Sequence, residues 1–257
     1  MTELVTTTRR PLAWRVATVA AVREESVAAR TLVLDVPDWP GHRAGQHLDV
    51  RLTAPDGYTA QRSYSIASAA RASAASTVST VEVMVQRIPR GEVSPWLCDV
   101  AMVGDQFEIR GPVGGYFVWE PSRPEPVLLV AGGSGIAPLM AMIRTRKEAG
   151  SRVPFRLIYS VRDPDTLIFG EELARRVRDD HGLDVTIVYT RQTPPGWRRP
   201  AGRLTAEVLA EAGWPAPLAP ACYVCGPTGF VETVADLLVA AGHDPAAIRT
   251  ERFGPTG

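Results

Sequence analysis

The chain has 257 residues, 45% of them hydrophobic and 22% charged, which suits one large or two small soluble globular domains. Its 28 Lys and Arg balance 28 Asp and Glu, so no basic excess draws it to nucleic acid or to an anionic lipid surface. Three cysteines (Cys98, Cys222, Cys225) are too few for a disulfide framework or a four-cysteine metal site, and the four histidines (His42, His47, His181, His243) are scattered; no metal site is expected.

The first ten residues read as a Thr-rich tail without the apolar core of a signal peptide. From Trp14 to about Trp119 short strands are predicted. Residues 30–36 and 47–52 alternate apolar and polar positions, and Val81, Val83 and Val85 alternate with Glu82, Met84 and Gln86. Period-two patterning between Gly, Pro and Asp turns indicates an antiparallel sheet or barrel. Residues 69–80 are rich in Ala and Ser and read as a loop. Three prolines in Pro121-Ser-Arg-Pro-Glu-Pro126 mark a boundary, which divides the chain into domains at 11–120 and 126–257.

Beyond the prolines the rhythm changes. Residues 127–130 form a continuous apolar run, as in a parallel strand buried on both faces. Ile136, Leu139, Met140 and Ile143 then recur at helical spacing. Further strands are predicted at 155–159, 185–189 and 222–224, with helices near 171–178, 205–212 and 230–241. Alternating strand and helix implies a doubly wound parallel α/β domain. The longest apolar stretch, 127–143, is broken by Gly132, Gly133, Gly135 and Pro138 and is short for a membrane span, so a cytoplasmic location is expected.

Five short segments carry candidate chemistry. In Arg62-Ser-Tyr-Ser-Ile-Ala-Ser68, strand spacing puts Arg62 and Tyr64 on one face and Ser63 and Ser65 on the other. A guanidinium suits a pyrophosphate, and a Tyr ring suits stacking on an aromatic ligand. In Gly91-Glu-Val-Ser-Pro-Trp-Leu97, Ser94 reads as a helix cap with Pro95 at the first helical position. Such an N-terminus either binds an anion or merely starts a helix. Gly132-Gly-Ser-Gly-Ile-Ala-Pro138 lies between a predicted strand and helix, where glycines let a ligand approach the backbone. Cys225-Gly-Pro-Thr-Gly229 occupies a similar junction, with Cys222 read as inert filler on a diverging side chain. Glu251-Arg-Phe253 lies near the C-terminus.

Together, in this order, these segments resemble the motifs of the ferredoxin–NADP reductase family. Gly111-Pro-Val-Gly-Gly-Tyr-Phe117 supports the match as that family's Gly-Pro-x-Gly turn. The resemblance implies an N-terminal antiparallel β-barrel that binds FAD and a C-terminal α/β domain that binds a nicotinamide dinucleotide. Arg62 would meet the flavin phosphates together with the turn Gly91, Val93 and Ser94. Tyr64 would pack on the isoalloxazine, Ser65 would bond near N5, and Ser68 would complete the motif. Gly132, Gly133, Ser134 and Gly135 would receive the dinucleotide. Cys225, with Gly226 and Pro227, would meet the nicotinamide without acting as a nucleophile. Glu251 would sit close to the site, and Phe253 would cover the second flavin face. The plant-type pattern ends on a Tyr, whereas this chain has Phe253 and continues to Gly257.

Thr190 and Arg191 resemble the family's Ser-Arg pair for a 2′-phosphate, with Arg162, Arg198 and Arg199 as further cations. They favour NADPH, with NADH as the alternative. The implied reaction passes hydride between NAD(P)H and FAD, and single electrons to a separate partner, first of all a ferredoxin. Alternatives are a ferric-siderophore or flavin reductase, or a non-catalytic flavin-binding regulatory module.

Overall fold

The computed structural model describes residues 12–70 and 80–254. The N-terminal tail, most of the Ala- and Ser-rich segment and the final Pro-Thr-Gly lie outside them.

Among the described residues, β1 (Trp14–Ser26), β2 (Ala29–Asp35), β3 (His47–Thr53), β4 (Thr59–Ser65), β5 (Thr80–Gln86) and β6 (Gln106–Val113) form an antiparallel sheet in the order β4-β3-β6-β1-β2-β5. An isolated bridge between Ile66 and Val83 ties its two edges and closes the barrel. Alternation explains the core: Leu32 and Leu34, Leu48 and Val50, and Val81, Val83 and Val85 all point inward. The 13-residue β1 bends at two register breaks, between Val19 and Ala21 and between Glu24 and Ser26, where it pairs with β2.

The second layer is parallel. Strands β7 (Val127–Gly132), β8 (Phe155–Val161), β9 (Leu183–Tyr189), β10 (Ala221–Pro227) and β11 (Ile248–Phe253) lie in the order β11-β10-β7-β8-β9. Helices α1 (Ile136–Glu148) and α2 (Gly170–Asp179) cover one face, over Leu129, Ala131, Leu157, Tyr159, Tyr223 and Cys225. Helices α3 (Ala206–Ala212) and α4 (Thr228–Ala240) cover the other, over Leu128, Val130, Ile158, Cys222 and Val224. Cys222 and Cys225 therefore point to opposite faces of β10, as expected from strand geometry.

Two elements depart from the sequence reading. Strand β11 was not anticipated, because Ile248-Arg-Thr-Glu-Arg-Phe253 is rich in charge and polar groups and occupies a sheet edge. Helix α1 has more than one buried stripe: every residue from Ile136 to Arg146 is buried, Arg144 and Arg146 included. The reason is its place between the parallel sheet and the barrel.

Barrel and α/β layer meet through specific contacts. The Trp119 ring meets Phe155 edge-on at 4.9 Å, the Tyr223 hydroxyl donates to the Val118 carbonyl at 3.0 Å, and the Ala70 N–H donates to Thr145 Oγ1 at 2.8 Å.

Candidate active site

Strand β4 sorts its motif as the period-two reading expects. Tyr64 packs against the barrel core, while Ser63 and Ser65 face the opposite side. Arg62 stays about half exposed and reaches the 91–94 turn, where Nη2 donates to Glu92 Oε2 at 2.5 Å. The Tyr58 hydroxyl donates to the other Glu92 oxygen at 2.6 Å. The first two motifs thus face each other, and Glu92, which the sequence reading passed over, holds the guanidinium. Both flanking arginine and hydroxyl bonds keep the Glu92 carboxyl below its usual range, the Tyr58 bond foremost.

The turn itself differs from expectation. A helix does begin at Ser94 and Pro95, but the Ser94 hydroxyl does not cap it; its oxygen accepts the Ile88 N–H at 3.0 Å. Val93 and Ser94 are buried, and Gly91 lies close to the Ile88 carbonyl and the Ser94 hydroxyl. Ser68 also has an internal use: its hydroxyl oxygen accepts the Glu82 N–H at 3.1 Å.

Ser65 opens onto a cleft of about 310 Å³ between the two layers, lined also by His47, Ser63, Tyr116, Glu251 and Phe253. The Ser65 hydroxyl donates to Glu251 Oε1 at 3.1 Å, joining residues 186 apart in sequence. Glu251 has lost much of its hydration, and burial pushes its carboxyl up to about 7 despite the Ser65 bond. A group with that proton affinity takes up and releases a proton near neutrality. Cys225 is paired with Glu251 across β10 and β11 and has no exposed surface; burial and the neighbouring carboxylate hold its thiol well above the usual range. It is a neutral thiol, unsuited to nucleophilic attack. Phe253 is half-buried and packs against the cluster containing Cys225.

His47 was missed among scattered histidines. It stands opposite Ser65 in the β3–β4 register and lines the same cleft, and burial lowers its proton affinity. Its signal was positional: on β3 it alternates with the core residues Leu48 and Val50.

The glycine-rich segments lie at the carboxyl ends of the parallel strands, where ligands bind in doubly wound sheets. Gly133 adopts φ +54°, and a Cβ there would meet nothing within 4 Å, so this backbone stays open at the start of α1 beside Ser134. Gly135 is needed for packing instead: a Cβ would stand 2.1 Å from the Cys225 carbonyl oxygen. Gly132 sits under the Phe230 ring, Gly226 is buried and Pro227 is exposed at the end of β10. The Thr190 and Arg191 amides donate to the Val161 and Arg162 carbonyls, which sets exposed Arg191 and Arg162 side by side beyond β9 and β8. Arg198 is exposed, whereas Arg199 is engaged by Glu211 at 2.6 Å. The open backbone at Gly133 and these guanidinium groups suit a dinucleotide, and the exposed Arg62 guanidinium with the Ser65 cleft suits a flavin.

A closed barrel followed by a parallel α/β layer, with this cleft between them, is the architecture of two-domain flavin and nicotinamide oxidoreductases. Residues 17–118 match the model of the oxidoreductase FAD-binding domain, and residues 129–236 that of the oxidoreductase NAD-binding domain. Together they span most of the chain, which belongs to the ferredoxin–NADP reductase family. The chain is 32% identical, over 92% of its length, to the ferredoxin reductase component of 3-ketosteroid-9-alpha-monooxygenase from Rhodococcus rhodochrous, of which it covers 64%. It is 31% identical, over 83% of its length, to the glycine betaine monooxygenase reductase subunit of Chromohalobacter salexigens, of which it covers 56%. It thus spans under two thirds of either relative. The FAD/NAD-binding domain of nitric oxide dioxygenase from Vibrio cholerae superposes with a TM-score of 0.81 at 26% identity, covering 94% of this chain and 99% of that one. Among the described residues no helix is long and apolar enough to cross a membrane, and no group of three or more His, Cys, Asp or Glu side chains is arranged to hold a metal ion.

Proposed function

We propose that the protein is the reductase of an electron-transfer system, taking hydride from a nicotinamide dinucleotide and passing electrons on to a separate one-electron carrier. The observation that carries this reading is the 3.1 Å bond between Ser65 of the flavin motif and Glu251 of the C-terminal strand. It brings a proton-exchanging carboxyl from one layer to the strand that would hold the flavin in the other. FAD, when bound, supplies the two-electron to one-electron conversion.

The chain's own residues divide the remaining work. Arg62 and the Gly91, Val93 and Ser94 turn hold the diphosphate, for which Arg62 must leave Glu92. Tyr64 and Ser65, on opposite faces at the end of β4, would hold the flavin ring. Phe253 would shield the site and give way to an incoming nicotinamide, with Cys225 beneath that end of β10. Gly133, Ser134, Gly226 and Pro227 receive the dinucleotide, and Thr190, Arg191 and Arg162 meet a 2′-phosphate, which favours NADPH over NADH. Ser65 and Glu251 would move a proton to and from the reacting edge, and holding the reactants in place would supply much of the rate.

The partner is read from the relatives, which are described as a ferredoxin reductase component and a monooxygenase reductase subunit. A ferredoxin or an oxygenase component is the expected acceptor, in the cytoplasm. An anaerobic absorbance titration with NADPH, and separately with NADH, tests the reading. Bleaching of the flavin band near one equivalent supports it and names the donor. A flavin band that neither dinucleotide bleaches overturns it.

A further inference from the structure

The bond between Ser65 and Glu251 crosses from the barrel to the parallel sheet, so its length depends on how firmly the two are held. Helix α1 contributes to that holding alongside the Trp119–Phe155 and Tyr223–Val118 contacts. Its N-terminus follows the Gly132–Gly135 segment directly, and its far end reaches the stretch just after Ser65. There Arg144, 8% exposed, donates from Nη1 to the Ala67 carbonyl at 2.8 Å and to Glu82 of β5 at 2.9 Å. Its Nε and Nη2 grip Glu172 of α2 at 3.0 and 2.5 Å, and its guanidinium lies 5.0 Å from the Phe169 ring. Thr145 next to it accepts the Ala70 N–H at 2.8 Å while donating to Ala141 within α1. One buried guanidinium therefore joins both layers, and its neighbour ties down the same segment.

We propose that Arg144 and Thr145 are positioning residues, a clamp from α1 onto residues 67–70 that sets where Ser65 stands relative to Glu251. Neither touches the cleft. Barrel hydrogen bonds, Ile66 N–H to Gln46 and Ala67 N–H to Glu82, fix Ser65 only within the barrel. The clamp fixes the barrel against the sheet that carries Glu251. Its use in turnover rests on the function proposed above, whereas its geometric effect does not.

The test measures coupling between Ser65 and Glu251 in the full chain by carbon-13 NMR titration of the Glu251 carboxyl. The groups around that carboxyl are Ser65 on β4, Cys225 on β10, and His47 on β3 and Tyr116 after β6, which line the same cleft; the neighbouring Arg252 turns to Glu232 of α4. With the clamp intact, Ser65→Ala raises the Glu251 midpoint by about one unit, the worth of a hydrogen bond to a charged group. In a Thr145→Val background the same substitution raises it by less than about half as much, and Thr145→Ser restores the full increment. Arg144→Met has the larger effect; where it does not fold, Thr145→Val decides. Arg156→Met cuts contacts to Gly213, Asp184 and Trp214 inside the α/β layer and serves as the control. It is expected to lower stability and leave the increment intact. Equal Ser65→Ala increments in the intact and Thr145→Val chains overturn the clamp, as does a reduced increment in Arg156→Met. In turnover, Thr145→Val slows flavin reduction at saturating dinucleotide and leaves the half-saturating concentration unchanged. If neither dinucleotide reduces the flavin of the parent chain, the functional reading falls, and the titration still judges the clamp.

Discussion

Glu172 and Glu251 are both carboxyls drawn out of water beside the seam between barrel and α/β layer, and they respond in opposite directions. Burial raises the proton affinity of each. Around Glu172, Arg144 and Arg176 more than reverse that effect and hold the carboxyl down to about 2. Around Glu251 the only opposing bond among the described residues comes from the Ser65 hydroxyl, and the carboxyl stays at about 7. Desolvation is common to both sites, so the partner decides the outcome. A guanidinium makes a permanent charge and a structural lock. A hydroxyl leaves a group that changes charge near neutrality, as proton transfer requires.

Removing Arg144 is the strongest way to break the contrast. Arg144→Met leaves Glu172 and Glu82 with a lost partner at a mostly buried site, and is expected to cost about 3–5 kcal/mol, read as a lowered midpoint in urea unfolding. A cost below about 1 kcal/mol would mean that the cluster is hydrated in solution.

The next effect belongs to Glu251. Its folded value lies above that of an unfolded glutamate, so the folded state binds the extra proton between pH 4.5 and about 7. Stability from this group is therefore greatest below pH 4.5 and is lost as pH rises through 7. Glu251→Gln removes that loss and is expected to stabilise the protein at pH 8 by about 2–3 kcal/mol while slowing turnover. Unfolding curves of the two chains at pH 5 and pH 8 check it.

Glu172 has the opposite sign. Its folded value is depressed, so its contribution is present above pH 4.5 and fades as pH falls toward 2. In Glu172→Gln the drop in stability between pH 5 and pH 3 is expected to be shallower than in the parent chain; parallel profiles would contradict the assignment.

The smallest effect sharpens the site itself. Glu92→Gln weakens the exposed hold on Arg62 and removes a negative charge beside the expected diphosphate. FAD is expected to bind about threefold more tightly, as measured by fluorescence quenching, in line with the modest worth of an exposed ion pair.

Much of this was legible along the chain. The alternation at Val81, Val83 and Val85 marks barrel strand β5, and the run at 127–130 marks a strand buried on both faces. The order of the Arg62, Gly91, Gly132, Cys225 and Glu251 segments points to the family. Strand β11 was hidden because an edge strand of alternating charge resembles a solvated tail. Arg144 was hidden because a single apolar stripe at Ile136, Leu139, Met140 and Ile143 says nothing of what covers the rest of the helix. Ser94 was misjudged because a hydroxyl before a Pro has the composition of a cap, while its actual partner, Ile88, is set by the preceding turn.

By itself, then, the sequence determined the two kinds of layer, their order and the motif segments proposed to carry the chemistry, since periodicity, turn residues and motif spacing are local properties. Tertiary structure alone decided that Ser65 meets Glu251, that Arg62 meets Glu92 and that Arg144 bridges both layers. Those pairings join residues far apart in the chain, and the proton affinities that follow depend on burial and on which partner arrives, neither of which is written in any local stretch.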